Sequence, residues 1–80
     1  MFYVYVLRSM SSGSLYTGYT NNLDHRLAEH NAGHTVSIRL RGPYEIIYTE
    51  NYKTRIEAIR RERFLKSGVG REVLRLLLPQ

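Results

Sequence analysis

The chain has 80 residues, a formal net charge of +5 and no cysteine. That length allows one small domain with a thin core, burying only about 60% of the surface that the unfolded chain exposes. The lack of cysteine excludes a disulfide framework and any thiolate-held zinc, and it fits a reducing compartment.

Ten of the 12 basic residues are arginines. The guanidinium presents a planar fork of donors that matches phosphate oxygens. An arginine-rich basic domain therefore points to a polyanion, most often nucleic acid. The opening run "MFYVYVL" is too short to span a membrane, and no small-residue cleavage site follows it. The expectation is a cytoplasmic protein with nothing removed.

Phe2 to Leu7 is aromatic and β-branched and predicts a strand. Alternation puts Tyr3 and Tyr5 on one face, with Phe2, Val4 and Val6 on the other. "RSMSSGS" is turn chemistry, and "LYTGYT" predicts a second strand. A hairpin closing around Ser11 would bring Tyr5 near Tyr16, within one register step. Asn21 or Asn22 caps a helix, "LDHRLAEHNA", with Asp24 in its first turn and Gly33 as its stop. Leu23 and Leu27 form one ridge of it. Arg26 and His30 form another at i,i+4 and project together. Residues 33 to 43 read as a loop carrying cations. Tyr44 to Tyr52 predicts a third strand.

Thr54 and Glu57 form a capping box for a helix that Gly68 should stop. Its apolar arc is read as Ile56, Ala58, Ile59 and Leu65, with Glu62 inside it. An unpaired carboxylate on such a face is costly, so Glu62 calls for a cation, either an arginine or a metal. After Gly70, "REVLRLLLPQ" predicts a short apolar helix. The order β-β-α-β-α-α gives an α+β fold, a three-stranded antiparallel sheet with helices packed on it, as one domain over residues 1–80.

"YVY" at Tyr3–Tyr5 and "YTG" at Tyr16–Gly18, on the two opening strands, resemble the paired motifs of the GIY-YIG nuclease superfamily. "RLAEH", Arg26 to His30, resembles that family's first-helix Arg and His. "RRERFLKSG", Arg60 to Gly68, resembles the segment around its metal-binding Glu. The likeness is greatest to the small stand-alone bacterial members and covers nearly the whole chain. It implies an endonuclease or nickase that hydrolyses phosphodiester bonds in DNA, with DNA favoured over RNA and a role in repair or recombination. It also implies a catalytic set of Tyr5, Tyr16, Arg26 and His30, with Glu62 on a divalent metal.

Phosphodiester hydrolysis needs a nucleophilic water, charge neutralisation on the phosphoryl oxygens and a stabilised leaving oxygen. Two-metal nucleases cluster several carboxylates. Here seven acidic residues are scattered along the chain. A single Mg²⁺ or Mn²⁺ on Glu62, completed by water and phosphate, suits that inventory better. Arg26 would clamp the phosphate, and Tyr5 or Tyr16 would take the proton from water. Phenol is a poor base unless a cation, or a relay through His30, assists it. The three histidines do not make a metal triad, because Gly33 interrupts the run before His34.

Tyr19, Arg39, Arg41, Arg60, Arg63 and Lys66 are expected to touch nucleic acid, as part of a basic stripe from Lys53 to Arg71 with the loop cations. No element resembles a base-reading helix, so strong sequence specificity is not expected. The alternative is a non-catalytic or partner-dependent nucleic-acid-binding module. In the partner-dependent form, a protein partner supplies substrate specificity.

Overall fold

A computed structural model describes residues 1–32 and 43–78. The elements run β1 (Phe2–Ser9), β2 (Leu15–Thr20), α1 (Leu23–Asn31), β3 (Tyr44–Tyr52), α2 (Arg55–Lys66) and α3 (Gly68–Leu77). This is the expected order. The antiparallel sheet is ordered β2-β1-β3, so β1 is central. Its side chains are shielded on both faces: Val4, Tyr5, Val6 and Leu7 are each at most 2% exposed.

Strand alternation divides the interior in two. Val4 and Val6 pack with Ala58 and Leu65 of α2 and Leu74 of α3. Tyr5 and Leu7 pack on the opposite face with Tyr16, Tyr44 and the α1 ridge of Leu23 and Leu27. The Ser-rich turn closes through Gly13, whose φ of 76° is the left-handed geometry that glycine accepts without strain. In the resulting register Tyr5 stands opposite Gly18, and Leu7 stands opposite Tyr16. The two tyrosines are therefore diagonal neighbours on one face.

β3 carries an irregularity that alternation alone does not announce. Pairing steps from Val6↔Tyr48 to Leu7↔Ile46, which leaves Ile47 as an extra residue. Such a bulge reverses the facing of everything beyond it. Tyr44 and Ile46 therefore join the Tyr5 face, whereas Tyr48 and Tyr52 pack against the Val4 and Val6 cluster.

Asn22 caps α1, accepting from the His25 amide at 3.0 Å. The helix ends at Asn31 with Ala32 as its cap, and the expected stop at Gly33 lies outside the described residues. Thr54 caps α2. It accepts from the Glu57 amide at 3.3 Å and donates its hydroxyl to Glu57 Oε1 at 2.8 Å. The far end of α2 differs from expectation, because Ser67 rather than Gly68 is the break. Its extended backbone ends α2, and its hydroxyl accepts from the Gly70 amide to start α3. Gly68 is thus the first residue of α3.

Ile56 also departs from the expected arc and is 60% exposed. At roughly 100° per residue it lies about 200° from Ala58, on the far side of the helix. The inward stripe is Ala58, Arg61, Glu62 and Leu65. Among the described residues, no helix is long and apolar enough to cross a membrane.

Candidate active site

The face of the sheet beneath α1 gathers the chemistry. Tyr5 projects from the central strand, and its hydroxyl lies 3.2 Å from His30 Nε2 in the last turn of α1. Tyr16 meets the His30 ring edge-on, with centroids 4.9 Å apart, and its own ring centroid is 6.4 Å from that of Tyr5. Gly18 makes room for this arrangement. A Cβ there would come 2.5 Å from the Tyr5 hydroxyl oxygen. The glycine of the second motif thus permits the tyrosine of the first to lie across β2.

His30 is 2% exposed. Burial, then the Arg26 guanidinium one turn earlier, pushes its pKa below the ordinary histidine value, with Glu29 opposing. The imidazole is therefore neutral at physiological pH. The Tyr5 hydroxyl is pushed well above its ordinary value. Burial is the largest cause, followed by Tyr16. Arg26 opposes, and the Glu62 and Glu29 carboxylates add to the rise. Tyr5 is therefore a neutral phenol in the free protein. Lys66, which pairs with Glu62, stands over the Tyr16 ring and so brings the end of α2 to the cluster that α1 covers.

Two polar atoms in this region are left over. Among the described residues, Arg26 Nε and His30 Nδ1 are buried without a hydrogen-bond partner. Each such atom costs about 1–3 kcal/mol, and groups left so in a native fold commonly serve function. Arg26 lies 3.7 Å from Glu29, which also approaches His25 at 3.4 Å. The cation that Glu62 requires is supplied within the protein by Lys66, at 3.5 Å, rather than by an arginine. Lys66 Nζ also stands over the Tyr16 ring, 5.9 Å from its centroid.

The donor set bears on which metal could bind. Among the described residues, no three His, Cys, Asp or Glu side chains converge as ligands. A closed zinc site needs about four such groups. The single half-buried carboxylate of Glu62 fits Mg²⁺ or Mn²⁺, which bind through one or two carboxylates and keep the remaining positions for water and substrate phosphate.

The expected nucleic-acid residues do not all fall together. Lys66 lies at the site. Arg60 and Arg63 are exposed on α2. Tyr19 is on the opposite face, packed against the Val4 and Val6 cluster. Arg39 and Arg41 lie outside the described residues.

A second polar cluster lies on the other face of the sheet, outside the expected site residues. Glu50 accepts from Tyr48 at 2.5 Å, from Tyr52 at 2.7 Å, and from Arg61 through both oxygens at 2.9 and 3.1 Å. Burial pushes Glu50 up, but the bonds from Arg61 and the two phenols outweigh it and hold it below the usual carboxylate value. The alternation Tyr-x-Glu-x-Tyr in a strand was the available signal, since it puts all three on one face.

Comparison with known proteins agrees with the geometry. The model of the GIY-YIG catalytic domain matches residues 1–72. A UPF0213 protein of Oceanobacillus iheyensis is 43% identical over 76 residues, 94% of this chain and 87% of that protein. Another, of Natronomonas pharaonis, is 46% identical over 66 residues, 81% of this chain and 76% of the relative. The solution NMR structure of a UPF0213 protein from Bacillus halodurans superposes with a TM-score of 0.57 at 37% identity, covering 96% of this chain and 85% of that one. With a catalytic-domain model matching residues 1–72 and relatives of this identity and coverage, the chain belongs to the GIY-YIG nuclease family.

Proposed function

We propose that the protein is a metal-dependent endonuclease or nickase that hydrolyses phosphodiester bonds, with DNA as the favoured substrate. One observation supports this above the others. The buried Tyr5–His30 hydrogen bond packs against Tyr16, with Arg26 one turn from His30 and the Glu62–Lys66 pair reaching the Tyr16 ring.

In this reading Arg26 holds the scissile phosphate, and its unpartnered Nε becomes a donor to a phosphoryl oxygen. Glu62 would hold the divalent cation in place of Lys66, and the cation would supply charge neutralisation at the phosphate and the leaving oxygen. Lys66, released from Glu62, adds a second positive charge beside Tyr16. Tyr5 enters protonated, so it cannot act as a phenolate. As water attacks phosphorus, the Tyr5 oxygen takes the water's proton and passes its own to His30 Nε2. The phosphorus–oxygen bond to the leaving strand then breaks. The leaving oxygen takes a proton from solvent water, and the imidazolium releases its own to solvent before the next cycle begins. Tyr16 packs the imidazole edge-on and fixes the plane of the ring.

The test is a nicking assay on single-stranded, duplex, flapped and branched DNA and on matched RNA, each with Mg²⁺, Mn²⁺ or EDTA. Cleavage is expected with either metal and not with EDTA. Glu62→Ala and Arg26→Ala should each lower it by about a hundredfold or more while the fold survives. Cleavage by both variants at the wild-type rate would overturn the assignment.

A further inference from the structure

A second concavity adjoins the site. A groove of about 540 Å³ lies between β2 and the two C-terminal helices, and Tyr16 and Lys66 belong to both it and the tyrosine–histidine cluster. That volume falls within the range of about 300–1,000 Å³ typical of small-molecule sites. Its walls are of two kinds. Leu15 and Leu74 give it an apolar lining, and Lys66, Arg71 and Arg75 line it with positive charge. No carboxylate lines it among the described residues. Lys66 and Arg75 each have a carboxylate neighbour on their own helix, Glu62 and Glu72, whereas no described carboxylate pairs with Arg71.

An apolar slot beside a tyrosine, with cations around it, has the chemistry of a nucleotide site. The base lies on the apolar and aromatic surface, and the flanking phosphates meet the cations. A base inside a duplex is stacked on both sides and cannot enter such a slot without leaving the helix. We propose that this groove holds an unpaired nucleotide next to the scissile bond, so that the protein selects nucleic acid with a single-stranded segment over continuous duplex. This deepens the nuclease assignment and rests on its nucleic-acid substrate.

The experiment measures binding and cleavage separately. Fluorescein-labelled oligonucleotides, single-stranded and as the matching blunt duplex, are titrated in EDTA and followed by anisotropy. Cleavage of both is then followed in Mg²⁺. Wild-type protein should bind the single strand about tenfold more tightly than the duplex, the scale of one base–aromatic stack. Leu15→Glu places a carboxylate at the half-exposed edge of the groove and should erase most of that preference. Arg71→Ala should weaken single-strand binding severalfold, and it carries the test if Leu15→Glu does not fold. Ile56→Glu, with the same charge change on the far side of α2, should leave the preference intact.

Equal affinity for the two forms, or equal losses on both in Leu15→Glu, would overturn the groove. Metal-dependent cleavage of the duplex would then leave the nuclease assignment standing. Groove-dependent single-strand binding with no cleavage of either form would instead overturn the nuclease assignment and leave the groove.

Discussion

The two faces of the sheet are built from alternate residues of one eight-residue strand, and they are organised on opposite principles. Beneath α2 and α3, Val4 and Val6 meet a closed apolar cluster, and the polar groups at its border are matched. Glu50 receives bonds from both phenols and both arms of Arg61. Beneath α1, Tyr5 and His30 are as deeply buried, yet among the described residues this region keeps two unpartnered buried atoms. A face that satisfies every group contributes stability. A face that leaves donors unpaired gives up stability and holds those donors ready for a substrate. Substitutions on the two faces should therefore separate folding from activity.

The largest effect is expected at the junction of α2 and α3. Gly70 is buried, and a Cβ there would lie 1.6 Å from the Phe64 carbonyl oxygen. Backbone cannot yield as a flexible side chain can, so Gly70→Ala must pry α3 from α2. A loss of more than about 3 kcal/mol is expected in urea denaturation. Activity should fall only in proportion to the unfolded fraction. Gly70→Ala with wild-type stability would show that the α2–α3 turn is far looser than this packing requires.

Tyr5→Phe probes the other face. It keeps the ring, the burial and the contact with β2, and removes only the hydroxyl facing His30. Stability should fall by about 1–2 kcal/mol, because His30 Nε2 loses its partner. Cleavage should fall by about 10²–10⁴-fold, the usual worth of a positioned proton-transfer group. Single-turnover kinetics beside a denaturation curve check both. A variant that loses stability and keeps its rate would place Tyr5 with the structural residues and remove the distinction between the faces.

The parts of this arrangement that sequence reveals are those with a local period or cap. The Tyr44–Tyr52 strand, the Asn22 and Thr54 caps and the Arg26–His30 ridge each follow from spacing within a few residues. What stayed hidden depends on partners far along the chain. The bulge at Ile47 is silent because Ile46 and Ile47 are both apolar, so a reversal of facing leaves no mark in the pattern. It nevertheless splits Tyr44 from Tyr48 and Tyr52. Glu50 reads as a solvated strand residue until Arg61, eleven positions later, is folded over it. Ser67 ends one helix and caps the next, and the neighbouring Gly68 is the more conspicuous stop signal. Lys66 is legible as a partner for Glu62 from its i,i+4 spacing.

The smallest effect, and the one that sharpens the comparison most, concerns the matched cluster on the stable face. Glu50→Gln keeps shape and removes charge; one phenol bond and one Arg61 bond then face an amide NH2 that cannot accept, and the other two lose their ionic component. A cost of about 1–3 kcal/mol at neutral pH is expected, with cleavage by the remaining folded protein unchanged. The pH dependence distinguishes this from generic damage. The folded value of Glu50 lies below its unfolded value of 4.5, so its contribution is fully present above that pH and is lost as pH falls through the folded value. Tyr48 and Tyr52 behave as the opposite case. Burial, and then the bond to Glu50, pushes each to about 12 from 10.0, so the folded state resists their ionisation and stability declines as pH rises past 10. Replacing the carboxylate with an amide should flatten the acid limb of the stability–pH curve and weaken the alkaline one. Denaturation midpoints from pH 3 to 11 read both. If the two limbs are unchanged in Glu50→Gln, the cluster is not what the stable face rests on, and the apolar contacts of Val4, Val6, Ala58, Leu65 and Leu74 carry that face alone.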